Sequence, residues 1–468
     1  MTEAPAGGWT RQLFRPTDVA ALAALRIVFG VLMCFASLRF LTAGWVDDFF
    51  VEPRFFFTFS FAPWVKPWPA WGMYVHYAAM TVLAALIALG LFYRVAIVLF
   101  FVAFSYAELI DITNYLNHYY LVSLLALLMC FLPLHRAWSL DVRRRPELAL
   151  QSFPAWYTSL LRLQVGVVYV YAGLAKAQPD WLFHAQPLSI WLSSRVDLPL
   201  IGPWLGQPWA WYAFSWAGFL FDTSVVFFLS HRRTRLAAYA VVLFFHVMTR
   251  LLFPIGMFPA IMVTSALVFF SSSWPRHLAG WLARVTKRPG LRLDRPRPPL
   301  RDAAAPLGVQ RRWPVVVAGL YGLVQILVPL RHHLYPGDVL WHEQGMRFSW
   351  KVMVREKNGS VTYRVHSPSV GRTWQVSPRK YLTALQAREM SSQPDMILQL
   401  GKHIAHEFQS RGYPDVEVRV DAWVSLNGRP GAPLIDPRVD LVGVSDSLAP
   451  AAWILPAPRT LPLKLNPV

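Results

Sequence analysis

The stretch Asp18-Val-Ala-Ala-Leu-Ala-Ala-Leu-Arg-Ile-Val-Phe-Gly-Val-Leu-Met-Cys-Phe-Ala-Ser-Leu-Arg-Phe-Leu-Thr-Ala-Gly44 decides the fold class. A bilayer core takes about 20 apolar residues in a helix. The stretch exceeds the roughly 7–15 residues of a signal-peptide core and shows no clear small-residue cleavage site, so it reads as a retained first span. The same criterion gives eight further runs, at about 70–92, 95–113, 118–134, 155–175, 210–230, 235–252, 255–273 and 313–331. The reading is an α-helical integral membrane bundle of about nine transmembrane helices over residues 1–334. A β-rich extramembrane C-terminal domain follows over 335–468.

Composition agrees. Of 468 residues, 55% are apolar and only 15% charged, against about 25% charged in a typical soluble domain. With 21 Trp, 17 Tyr and 31 Phe the chain is too apolar for disorder. The two cysteines, Cys34 and Cys130, lie in apolar runs without a CxxC or zinc-like His/Cys spacing, which excludes a disulfide scaffold.

The net charge of +19 follows the loops. Arg11, Arg15, Arg94, His135, Arg136, Arg143, Arg144, Arg145, Arg232, Arg233 and Arg235 share one side of a nine-span bundle with the Arg/Pro-rich segment 276–312, a basic linker with little fixed structure. The opposite loops carry Asp47, Asp48, Glu52, Asp111, Asp180 and Asp197. Basic loops stay cytoplasmic. This predicts a multi-pass protein of the cell membrane with a cytoplasmic N-terminus and an extracytoplasmic C-terminal domain, in contact with lipid and not with nucleic acid. Arg26, Arg94 and Arg162 fall toward the inner side, where snorkelling accounts for them.

The loop 45–71 packs Trp, Phe and Pro at high density and reads as an interfacial aromatic belt, the alternative being a way in for an apolar ring ligand. Beyond residue 345, Phe348, Trp350, Val352 and Val354 alternate, followed by Asn358-Gly359 and by Val361, Tyr363 and Val365. That pattern predicts a hairpin at Asn-Gly. A helical segment follows over 379–411, and a second alternation from Val416 to Leu426 ends at Asn427-Gly428.

Ionisable side chains inside a span cost about 2.5–3.5 kcal/mol each on insertion scales, so each asks for a reason. Here His76, Glu108, Asp111, Asn117, His118, Lys176, His246, Arg250, His332 and His333 fall near one membrane depth, with Asp222 near the middle of its run. Such convergence predicts a site below the outer face, against the plainer reading of a helix-pairing network. Lys176 closes the small-residue segment Tyr169-Val-Tyr-Ala-Gly-Leu-Ala, where close packing would desolvate its ammonium and favour the neutral amine, a general base. The plainer reading of a helix-end lysine is snorkelling or pairing with an acid.

Several motifs in order then match one family. They are Asn114-Tyr-Leu-Asn117-His118-Tyr-Tyr, Tyr171-Ala-Gly-Leu-Ala-Lys176 with Asp180-Trp181, and His246 with Phe253-Pro-Ile-Gly-Met-Phe-Pro259. Trp274-Pro-Arg-His277, Arg347-Phe-Ser-Trp350, Gln393-Pro-Asp395, Val424-Ser-Leu-Asn-Gly-Arg429 and Asp436-Pro-Arg-Val-Asp-Leu441 complete the set. Over about 14–445 the chain resembles the bacterial vitamin K-dependent gamma-carboxylases with their horizontally transferred transmembrane (HTTM) domain.

The resemblance implies a lyase that uses vitamin K hydroquinone, O2 and CO2. Quinol epoxidation generates a strong base, which removes a γ-proton from peptidyl glutamate before CO2 adds. It implies Lys176, His118 and His332 as catalytic residues. Lys176 would deprotonate the quinol, His118 assist it and His332 orient the glutamate or CO2. Asn117, His246, Arg250 and Tyr171 would hold the cofactor. No metal is implied; the partners are the quinol and a Glu-containing peptide or protein met by the C-terminal domain. The resemblance departs at Thr249-Arg250, where the family has an asparagine, and in a C-terminal domain without cysteine. The alternatives are quinol epoxidation without protein carboxylation, and a non-catalytic transport or redox protein using the histidines.

Overall fold

The computed structural model describes residues 12–286 and 313–463. Its first part is a helical bundle: α1 (Ala20–Thr42), α2 (Ala70–Leu89), α3 (Tyr93–Leu109), α4 (Asn117–Phe131), α5 (Trp156–Leu174), α6 (Pro179–His184), α7 (Leu188–Ser193), α8 (Pro208–Ser230), α9 (Arg235–Leu252), α10 (Phe258–Ser265), α11 (Trp274–Val285) and α12 (Trp313–Leu330). Two short strands, β1 (Pro16–Asp18) and β2 (Ser152–Pro154), pair antiparallel and tie the start of α1 to the start of α5.

Every expected apolar run is helical, but the count of nine spans does not follow. Five helices (α1, α2, α8, α9 and α12) are long and apolar enough to cross a membrane. Two bent pairs raise this to seven: α5 with α6–α7, at 64°, and the α10 segment with α11, at 102°. At 17 and 15 residues, α3 and α4 are short of the roughly 20 a straight crossing takes. The outward faces of the long helices carry Phe35, Val82, Phe227, Phe244 and Leu327 at more than half exposure. Apolar patches of that extent suit lipid. The chain is a membrane protein.

Glycine sets how closely the helices approach. A Cβ on Gly30 would lie 2.4 Å from the Ala88 backbone, and one on Gly173 would lie 2.7 Å from the Thr223 backbone. The second contact presses α5 onto α8, as the small-residue segment before Lys176 predicts. Arg26 does not snorkel. It is fully buried and donates to the Ile87, Ala88 and Trp138 carbonyls at 2.8, 2.7 and 2.6 Å. Carbonyls at a helix C-terminus are short of backbone donors, and this guanidinium supplies them, adding to the Gly90 N–H that Ile87 already accepts at 3.1 Å. Arg162 serves Val268 and Phe270 in the same way. The proposed linker 276–312 begins instead as α11; its remainder, 287–312, lies outside the described residues.

The C-terminal domain is an antiparallel sheet in the order β4-β3-β5-β6, formed by β3 (Lys357–Ser367), β4 (Arg372–Val376), β5 (Glu417–Leu426) and β6 (Ala432–Pro433). Two helices, α13 (Ala384–Met390) and α14 (Pro394–Ser410), complete it. Val418, Val420 and Val424 face the core with Ile397, Leu400 and Ile404 of α14, so the β5 alternation holds.

The hairpin at Asn358-Gly359 does not form. Both residues lie within β3 opposite β5, and a Cβ on Gly359 would stand 2.2 Å from the Ser391 carbonyl. That glycine admits a neighbouring backbone rather than a turn. The alternation before it is not a strand either. Phe348, Trp350 and Met353 have φ of 61°, 57° and 51°, a costly left-handed conformation for such side chains. Trp350 is buried against Tyr120 of α4, ring centroids 4.9 Å apart. The apolar rhythm of 348–354 reflects insertion into the bundle.

The aromatic loop splits three ways. Trp45, Phe49 and Phe50 line an internal cavity; Phe57 and Phe59 join the C-terminal core; Trp64, Trp68 and Trp71 stay exposed, as an interfacial belt requires.

Candidate active site

Lys176 follows α5 by two residues. It is 5% exposed, and its Nζ donates to Asp222 Oδ2 on α8 at 2.8 Å and to the Ala172 carbonyl at 3.1 Å. The Trp181 ring lies 5.3 Å from Nζ. Gly173 makes this pairing feasible: without its close approach to Thr223, α8 would stand too far off for Asp222 to reach.

These groups line a narrow cleft of about 80 Å³ with His246 of α9 and Tyr169 of α5. The Tyr169 hydroxyl and His246 Nε2 lie 3.1 Å apart. His246 is 2% exposed, and its Nδ1 is shielded from solvent without a hydrogen-bond partner. The remaining walls are aromatic and aliphatic, among them Trp191, Phe245 and Phe253. One ion pair, one imidazole and one phenol therefore face an apolar slot, where electrostatic interactions are strengthened.

A second cavity of about 480 Å³ adjoins it, and Ile255, Phe258, Val352 and Met353 line both. Asn117 and His118, at the start of α4, line the second cavity with Arg39, Glu108 and Trp45. It extends to Leu385, Arg388 and Glu389 of the C-terminal domain. The Tyr115 hydroxyl donates to Asn117 Oδ1 at 3.2 Å, and Asn117 Nδ2 donates to the Lys351 carbonyl at 3.4 Å.

The HTTM domain family matches residues 14–274, and the lumenal domain of vitamin K-dependent gamma-carboxylase matches residues 310–460. The chain belongs to the vitamin K-dependent gamma-carboxylase family. No solved structure matches it.

In this gamma-carboxylase family member, the residues singled out from sequence divide by position. Lys176 and His246 share the cleft, and Asn117 and His118 share the adjoining cavity. Tyr171 turns away and donates to the Ile326 carbonyl of α12 at 2.6 Å. Arg250 is exposed and lines neither cavity. His332 also lines neither; its Nδ1 donates to the Pro329 carbonyl at 2.7 Å and its ring sits 4.1 Å from His333. His76 meets the Ala103 carbonyl, and Asp111 accepts from Gln386 of α13 at 2.7 Å.

Sequence reasoning passed over Tyr169 and gave Asp222 no partner. Tyr169 precedes Lys176 by seven residues, two helical turns, which puts both on one face. That spacing was the available signal. The Asp222 pairing depends on the approach of two helices, which no local pattern carries.

Proposed function

We propose that this protein is a vitamin K hydroquinone-dependent gamma-glutamyl carboxylase, coupling quinol oxygenation by O2 to carboxylation of peptidyl glutamate with CO2. The observation that carries this reading is the Lys176–Asp222 pair facing an apolar cleft that adjoins a larger cavity reaching the C-terminal domain.

The cleft suits a hydroquinone. At about 80 Å³ it takes one edge of the ring, the rest lying toward the adjoining cavity, and the unpartnered His246 Nδ1 and the Lys176–Asp222 pair offer polar contacts to a ring hydroxyl. When bound, the quinol supplies the electrons whose reaction with O2 drives proton removal from glutamate. The residues of the chain hold and move protons. Transfer of one proton from Lys176 Nζ to Asp222 Oδ2 along the 2.8 Å hydrogen bond turns the ion pair into an uncharged amine and carboxylic acid. It leaves Nζ with a free lone pair for a hydroxyl proton in the cleft. The Tyr169 hydroxyl orients the His246 ring. Aromatic walls exclude water, which would quench a strong base.

Asn117 and His118 in the second cavity support a place for the glutamyl side chain within reach of the cleft, the peptide arriving past Arg388 and Glu389. The loop charges support a cytoplasmic N-terminus and an extracytoplasmic C-terminal domain.

The test gives purified protein vitamin K hydroquinone, O2, labelled bicarbonate and a glutamyl peptide. The reading expects epoxide and labelled peptide together. Epoxide without label supports the second reading, quinol epoxidation alone, which Thr249-Arg250 in place of the family asparagine favours. Neither product refutes both.

A further inference from the structure

We infer that Arg39 is the residue that holds the carboxylate of the substrate's glutamyl side chain in the larger cavity. The inference rests on the reading of that cavity as the peptide's site and adds the group that would select for charge.

Arg39 sits near the C-terminal end of α1 and lines the cavity together with Asn117 and His118. Its guanidinium carbon lies 4.4 Å from the Trp45 ring centroid, so one face of the fork is stacked and the edges remain for hydrogen bonding. Its Nε is shielded from solvent and has no hydrogen-bond partner. Among the described residues no carboxylate reaches ion-pairing distance of it, and Glu108 on the same cavity does not pair with it. This sets it apart from the other cations named inside the bundle; Glu108, on the same cavity, is likewise without a partner among the described residues. Arg26 and Arg162 are spent on helix-end carbonyls, and Lys176 has Asp222.

Arg39 is half-buried, with its Nε shielded and unpartnered, and a bidentate carboxylate would satisfy that edge of the fork. Phe40, Phe49, Phe50 and Tyr77 wall the same cavity and keep the local dielectric low, which strengthens the contact. The position also suits the chemistry. When a γ-proton leaves, its electron pair spreads onto the neighbouring carboxylate, which then carries a second negative charge. A fixed guanidinium on those oxygens stabilises the developing charge, as donors aimed at an oxyanion do.

The test measures binding of two end-blocked tripeptides, one with a central glutamate and one with a central glutamine, to the full-length protein in detergent. The variants are Arg39→Gln and Arg39→Lys. Wild type should prefer the glutamyl peptide by about tenfold to a hundredfold, the range of a charge-assisted hydrogen bond. Arg39→Gln should abolish the preference, and Arg39→Lys, which keeps the charge but not the fork, should restore part of it. If Arg39→Gln is unstable, Arg39→Lys decides alone through a reduced preference. Equal preference in wild type and variants, or equal weakening of both peptides, would overturn the inference by making Arg39 a packing residue for Trp45. Binding needs no turnover, so this outcome is separate from that of the epoxide and bicarbonate assay.

Discussion

Asp180 and Arg429, 249 residues apart, meet in a two-pronged ion pair. The Arg429 guanidinium donates to the two carboxylate oxygens at 2.6 and 2.7 Å, and Asn427 Nδ2 adds a third bond at 2.9 Å. The Asp180-Trp181 turn beside Lys176 is thus held by the Asn427-Gly428-Arg429 turn that ends β5. The left-handed Asn427 and Gly428 (φ 49° and 75°) aim that turn at the bundle. Two motifs of the family resemblance are two halves of one clasp.

Breaking the clasp leaves a largely buried charge without its partner, which costs about 3–5 kcal/mol. Arg429→Ala is expected to lower the melting temperature in detergent and to expose the C-terminal domain to limited proteolysis. Asp180→Ala on top of it should add little, because the two residues form one interaction. Additive losses would contradict this.

Asp222→Asn keeps the shape of the cleft but removes the counter-charge and proton acceptor of Lys176. Epoxide formation is expected to fall by at least about a hundredfold, the lower range for losing a proton-transfer partner. Asp222→Glu should recover part of it. A parallel steady-state assay on the three proteins checks this.

Arg26→Leu should destabilise the bundle by about 2–3 kcal/mol, since it removes the donor to the part-buried carbonyls of Ala88 and Trp138 and one of the two donors to Ile87. Denaturant unfolding of wild type and variant measures it. Arg94→Leu is the comparison, because Arg94 is exposed and bonds one carbonyl, that of Cys130.

Asp111, in the connection between α3 and α4, is pushed up from 3.8 to about 6 by burial, against the hydrogen bonds of Thr113 and Gln386. A carboxyl raised in the folded state favours folding below pH 4, and that advantage is lost as pH rises toward 6. Wild type should lose stability over this window relative to Asp111→Asn, by on the order of 3 kcal/mol at full effect. Melting temperatures of both proteins from pH 4 to 7 test the sign; parallel curves would contradict it.

Much of this was legible in the sequence where the cause was local. Apolar length marked the helices, alternation marked β5, and the small residues before Lys176 marked a close helix contact. What escaped depends on distant neighbours. Two expected spans, α3 and α4, close after 17 and 15 residues although their apolar runs read longer, so apolar length alone overcounts crossings. Asn358-Gly359 looked like a turn because the approach of Ser391 is invisible in sequence. Arg26 looked like a snorkelling residue because the carbonyls it satisfies belong to another helix. At the site, Lys176 and His246 line one cavity and Glu108, Asn117 and His118 the adjoining one, while His76, Asp111, Arg250, His332 and His333 line neither. Arg250, Tyr171 and His332 project elsewhere because helix rotation, which hydropathy does not encode, sets the face they occupy.

The central claim is that Lys176, paired with Asp222, takes the proton from a quinol held in the cleft. The most direct measurement is the initial rate of epoxide formation from vitamin K hydroquinone and O2 by purified wild type and Lys176→Ala, each shown to be folded. The account predicts turnover in wild type and at least a hundredfold loss in the variant, with partial recovery when a small primary amine is added. Equal rates in the two proteins would contradict it.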